Sequence, residues 1–328
     1  MRAESNTSRR GAITGSALGA VGVLAFSMSL PATRVAVGDL DPWVVAFGRA
    51  VGAAGLAALY LRARRVPWPS AGQCRRLLVV AAGVVVGFPL FTSLALTAST
   101  AAHGAVVIAV LPGLTAVFAV LRARERPPTS FWVASGAGVV AVLIFTTVGS
   151  GASAAPAVAD LFLLAAVVLC ALGYAEGGAL ARELGGANTI CWALVLSAPA
   201  TVAITAVAAV RTPPHAGPVA WLGFAYLTAV SMFLGFFAWY AGLARGGVAR
   251  VGQLQLAQPL LTLGWSALLL GEGVTPAAVV AALLVLLCVA LTQRIRAARV
   301  VPLAGGNRGP SHVPTAPGPD SRRSAARR

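Results

Sequence analysis

Apolar runs of about 20 residues follow one another along this chain, separated by short polar or proline-containing breaks. Ten are predicted: 12–31, 43–61, 77–98, 103–121, 130–148, 158–180, 189–210, 219–243, 248–270 and 275–292. Each is close to the length at which a helix crosses about 30 Å of hydrocarbon. The pattern predicts an all-α polytopic membrane protein. The first run follows Arg9 and Arg10 as a signal peptide would. Its length, and the lack of a small-x-small cleavage site before the next run, predict a retained helix instead. Past 292 the pattern stops. Residues 302–328, PLAGGNRGPSHVPTAPGPDSRRSAARR, read as a disordered tail. Its arginines either touch anionic headgroups or remain solvated.

Composition agrees. Of 328 residues, 58% are hydrophobic and 10% charged, and mean hydropathy is +0.83. A soluble fold needs more polar surface than that. The net charge of +16 suggests nucleic acid at first, but all 25 cations are arginines clustered between apolar runs, and no soluble basic domain is visible. With both termini placed in the cytoplasm, 22 arginines fall inside, Arg34 and Arg211 outside, and Arg49 within a span. That asymmetry is the positive-inside pattern. It predicts a multi-pass protein of the cytoplasmic membrane with an even number of spans. Cys74, Cys170, Cys191 and Cys288 are scattered, so no disulfide framework or metal site is indicated.

The chain also repeats itself. Residues 112–125 read PGLTAVFAVLRARE and residues 259–272 read PLLTLGWSALLLGE. Proline, threonine and glutamate hold the same spacing in both, and the prolines are 147 residues apart. Each copy falls at the same place in a set of five helices. Five is odd, so the second set enters from the opposite side. The prediction is ten transmembrane helices as two inverted five-helix repeats, 12–149 and 157–292. A segment 1–11 precedes them, and a basic cytoplasmic tail, 293–328, follows. Inverted repeats of this kind build secondary transporters around a midplane site.

At these residues the chain resembles the drug/metabolite transporter superfamily, of the EamA type. The carrying stretches are AAHGAVVIAVLPGLTAVFAVLRARERP at 101–127 and FFAWYAGLARGGVARVGQLQLAQPLLTLGWSALLLGE at 236–272. GYAEGGALARELGG at 173–186 resembles a recurring sixth-helix stretch. Members end the fourth and ninth helices with a Gly-Glu pair. Gly271-Glu272 keeps it, whereas the first copy has Arg124-Glu125. The resemblance implies export of a small metabolite and does not specify which.

Candidate residues follow from what is costly in lipid. At about 100° per residue, Gln255, Gln258, Thr262 and Ser266 share one arc of the ninth helix, with Gln253 on the far side. Unsatisfied amides in hydrocarbon cost several kcal/mol each. The stripe therefore faces either another helix, as hydrogen-bonding glue, or a substrate path. Pro259 frees the Gln255 carbonyl, a possible ligand beside two amides. Pro112 and Thr115 are the counterparts in the fourth helix. Arg49 and Glu176 are ionisable residues within spans and default to functional hypotheses. Arg49 either attracts an anionic group or braces a helix. Glu176 either carries a coupling proton or a cationic substrate group, or simply snorkels or pairs with Arg182. His103 reads as an incidental interfacial residue. Trp43, Trp132, Trp192, Trp221, Trp239 and Tyr240 fit interfacial belts, with Trp239, Tyr240 and Trp265 as alternative cavity residues. Glu125 and Glu272 read as helix-end markers that cap the next span. Gly15, Gly19 and Gly22 read as helix-packing positions.

Three function classes remain. A secondary transporter, exporting by alternating access with two five-helix halves rocking around the site, fits best. An enzyme would need a nucleophile, a paired acid or a histidine cluster, and the chain carries no H-E-x-x-H, G-x-S-x-G or G-x-x-x-x-G-K-[ST] motif. A receptor or scaffold would move no solute. No cofactor is implied. The partners are a small-molecule substrate, the lipid bilayer and, as one option, a second copy in a homodimer; nucleic acid is not among them.

Overall fold

The computed structural model describes residues 2–123, 128–150, 154–246, 251 and 254–300. Every regular element among them is helical. α1 is helical from Arg2, breaks at Met28 and ends at Asp39. α2 is Val44–Ala63, α3 Ala71–Ala98 and α4 Ala101–Arg122; α5 is Thr129–Ser150. The second set runs α6 Ala154–Leu184, α7 Gly186–Arg211, α8 Pro218–Arg245, α9 at 254–270 and α10 Pro276–Val300. The ten predicted helices are present in order. α1 to α4 and α6 to α8 are each long and apolar enough to cross a bilayer, and α5 and α10 carry shorter apolar stretches.

Short connections make successive helices antiparallel. Only Gly185 separates α6 from α7, with φ of +85°, a backbone that glycine adopts at little cost. One end of the bundle therefore gathers Arg62, Arg64, Arg65, Arg75, Arg76, Arg122, Arg182 and Arg245, and the other has Arg34 and Arg211.

The two repeats interlock. α1 packs on α8, and its counterpart α6 packs on α3. α2 lies on α8 and α7 on α3; α1 on α9 and α6 on α4. α2 with α7, α4 with α9, and α5 with α10 pair across the repeats. Exchanging the two five-helix sets turns each of these contacts into another that is present. A wider π-helical stretch also recurs, at Ala81–Gly87 in α3 and Tyr226–Leu234 in α8. The 147-residue offset of the prolines carries the first onto 228–234, within the second. The strongest packing therefore runs between the repeats rather than within either one.

The first helix overruns its expected end at 31. Pro31 lacks the N–H that would bond the Ser27 carbonyl. The helix breaks at Met28 and resumes, with the Ala32 N–H bonded to the Met28 carbonyl. The freed Ser27 carbonyl accepts instead from Thr262 Oγ1 of α9, 2.8 Å away. A neighbouring hydroxyl thus allows a proline to bend the helix without ending it.

Candidate functional site

The proline of the repeat interrupts α4 near its middle and lies toward the start of the described part of α9. In α4 the helix stops at Ile108 and resumes at Leu111, around Pro112. In α9 a 3-10 turn, Gln255–Ala257, leads into Pro259. Glu272, just past α9, binds the start of α4: its carboxylate oxygens accept from the Ala101 N–H at 3.0 Å and the Ala102 N–H at 2.8 Å. Pro112 lies eleven residues along α4 from Ala101, and Pro259 eleven residues back from Leu270, the last residue of the antiparallel α9, roughly 16 Å at 1.5 Å per residue. That is about half of a 30 Å hydrocarbon layer. At this depth a cavity is lined by Leu30, Ala105, Ile108, Leu111, Pro112, Gln255, Gln258, Pro259 and Thr262. It offers about 10 Å³ to the centre of a water-sized sphere, room for about one water molecule.

The structure brings Gln255, Gln258, Pro259, Thr262 and Pro112 to this cavity and sorts the polar stripe. Thr262 also serves as glue, through Ser27. Ser27 Oγ in turn accepts from Trp265 Nε1 at 3.0 Å. Gln255 Nε2 and Gln258 Oε1 are buried without a hydrogen-bond partner. The Gln255 carbonyl freed by Pro259 is taken by the Gln258 N–H in the 3-10 turn, so it is not the open ligand expected. Ser266 is buried further along α9, with an unpartnered Oγ, outside the cavity lining. Thr115 Oγ1 donates to the Leu111 carbonyl of its own helix at 2.9 Å.

Trp192, Trp239 and Tyr240 are buried rather than in an interfacial belt, whereas Trp43, Trp132 and Trp221 are exposed. Trp239 and Tyr240 stand in an aromatic cluster with Phe26, Tyr174 and Phe236, beside the cavity but not lining it. Gln255 approaches Tyr174. Tyr240 Oη rests against Gly177, one residue past Glu176. Polar groups thus run from the cavity toward the arginine-rich end. There Glu176, buried, bonds Arg76 of α3 and, at 2.5 and 3.1 Å, Arg122 of α4. Arg76 also binds Glu183 at 2.6 Å. The partners of Glu176 are these two arginines, not Arg182. At the opposite end His103 Nε2 lies 2.5 Å from Asp160 Oδ1 of α6, a contact between helices from the two repeats. Glu272 caps a helix, but α4 of the other repeat rather than the span that follows it. Arg49 is buried in α2, away from the cavity lining, and its Nε and Nη1 have no partner. Gln253, Arg124 and Glu125 and the tail lie outside the described residues.

Two stretches of this chain, residues 13–147 and 157–294, each match the model of the EamA-like transporter family. The chain belongs to that family. Its members' two-repeat organisation is the one seen here. An "Uncharacterized transporter YdeK" of Bacillus subtilis (strain 168) is 46% identical over 276 residues, covering 84% of this chain and 96% of the relative. A solved structure described as "Crystal structure of protein" superposes with a TM-score of 0.61 at 19% identity, over 85% of this chain and 97% of that one. It supports the fold alone. Within this EamA-type fold, sequence reasoning missed Asp160, Arg76 and Arg122 as partners. A buried acid in the sixth span was a signal for the first. The arginines were counted only as topology markers.

Proposed function

We propose that this EamA-type transporter is a secondary carrier that moves a small metabolite or toxic compound out across the cytoplasmic membrane, leaving it chemically unchanged. The observation that carries the reading is the meeting of two proline-broken helices, one from each repeat, around one small, mostly apolar cavity into which Gln255, Gln258 and Thr262 bring polar groups. Discontinuous helices at the midplane are how such carriers place polar groups where lipid cannot reach them. Gln255 and Gln258 are the groups we assign to the cargo, with Thr262, Pro259 and Pro112 shaping the wall. We assign the contacts at the two ends of the bundle as its gates. Glu176 with Arg76 and Arg122 bars the arginine-rich end, which we assign to the cytoplasm; Glu272 on α4 and His103 with Asp160 bar the other. Opening must break one set while the other holds. A coupling proton could reach Glu176 only as its two arginines part, which would make coupling and opening a single event; simple exchange needs no such step.

The test compares metabolites inside and outside cells expressing the wild type or Gln258→Leu at matched membrane abundance. The expected outcome is a compound that accumulates outside with the wild type and falls at least fivefold with the variant. Equal export by both would return the glutamines to the role of helix glue. No redistribution by the wild type would sink the export reading.

A further inference from the structure

The charged groups within the bundle are unevenly paired. Six carboxylates lie in the described part of the chain where their side chains can be followed, and each has a partner. Glu176 and Glu183 hold arginines. Asp160 holds His103. Glu272 takes two N–H groups of α4. Asp39 accepts from the Gly217 N–H, and Asp41 from those of Trp43 and Val44. The buried ion left over is a cation. Arg49 is 2% exposed, and neither its Nε nor its Nη1 meets an acceptor. An ion buried without a partner is among the costliest features a fold can hold, and in a membrane span it marks a functional demand.

The neutral groups lean the same way. Buried side-chain atoms without a partner, among the described residues, include Arg49 Nε and Nη1 and Trp239 Nε1, which can only donate, and Gln255 Nε2, a donor that approaches Tyr174. Ser93, Ser266 and Tyr240 carry hydroxyls that can do either; Gln258 Oε1 is the one pure acceptor. Ser93 sits on the part of α3, Phe88–Ala98, that packs against Val44–Gly48, the turn leading into Arg49. Residues Ser29–Asp39 of α1 touch that same turn and carry Leu30 into the cavity wall. Arg49 is therefore one helix segment removed from the cavity.

We infer that the cargo is an anion, a small molecule bearing a carboxylate, phosphate or sulfonate group, and that Arg49 is the residue that neutralises it along the path. A cationic cargo would find no unpaired carboxylate among the described residues, whereas an anion finds an uncommitted guanidinium and a surplus of donors. The inference rests on the transporter reading. It adds the charge of the cargo and a residue outside the present cavity.

Cells expressing the full-length chain, Arg49→Gln or Arg49→Lys at matched membrane abundance are compared with cells lacking it, by untargeted profiling of cell extract and medium. The probe is the cells' own metabolite pool. The compounds that the wild type redistributes should be anions at pH 7. Arg49→Gln should lower their flux tenfold or more, and Arg49→Lys should recover part of it, which a merely misfolded protein would not do. Redistribution of cations or neutral compounds would overturn the inference while keeping the transporter. So would anion flux undiminished in Arg49→Gln. No wild-type redistribution would remove both. Should Arg49→Gln fail to reach the membrane, the charge of the wild-type cargo decides alone.

Discussion

Gly271 has a φ of +63°, and the Glu272 N–H closes the helix on the Ser266 carbonyl at 3.2 Å. This left-handed stop aims the Glu272 carboxylate at Ala101 and Ala102, while Thr100 Oγ1 accepts from the His103 N–H at 3.1 Å. The free donors of the first turn of α4 are thereby satisfied, and a negative charge sits at its positive end. A side chain at Gly271 would cost roughly 1–2 kcal/mol of backbone strain and misdirect the carboxylate. Glu272→Gln should cost up to about 2 kcal/mol by removing that charge. Since both changes damage one clamp, the double variant should lose less than the sum of the two. Unfolding of the purified protein in detergent measures this, and strict additivity would contradict the clamp. The Gly-Glu pair was visible in the sequence. Its target was not, because Ala101 and Ala102 offer only backbone N–H groups, which no residue name advertises.

At the scale of helices, small residues set the distances. A Cβ on Gly242 of α8 would stand 2.7 Å from the Gly19 nitrogen of α1, a backbone atom that cannot swing aside. A Cβ on Gly83 of α3 would stand 2.8 Å from the Cα of Gly173 in α6, the counterpart contact. Gly264 of α9 meets nothing within 4 Å. Gly242→Ala should therefore destabilise by about 1–3 kcal/mol through overpacking. Gly264→Ala should be neutral or gain up to about 1 kcal/mol of helix propensity. Thermal unfolding of the two variants side by side should show a loss for Gly242→Ala and none for Gly264→Ala, and equal shifts would discredit the close approach. The glycines of α1 were legible as a packing surface, and that reading holds for Gly19 and Gly22. The length of α1 was not, because a proline ends a helix only when nothing else can satisfy the carbonyl it frees. Nor was the burial of Trp239 and Tyr240, since an aromatic near a span end looks the same in sequence whether it faces headgroups or a neighbouring helix.

For the whole molecule, the arginine-rich end carries the topology. A reporter active only in the cytoplasm should work when fused after Arg296 and fail when inserted near Gly151. Reversed signals would overturn both the assignment of ends and the path of export argued from it.

What the sequence determined by itself was one-dimensional. Hydropathy gave ten spans because a bilayer of fixed thickness imposes a fixed length on any helix that crosses it. Arginine placement sorted the loops into two ends, and the spacing of Pro112 and Pro259 revealed the inversion. What only the tertiary structure decided was pairing. Glu176 found Arg76 and Arg122 rather than Arg182, Thr262 found the Ser27 carbonyl, and Glu272 found α4. These partners lie 54 to 235 residues apart in the chain. Which charge or carbonyl is left free for a partner depends on how the repeats interlock, and only the packed bundle shows Arg49, among the described residues, buried with Nε and Nη1 unpartnered.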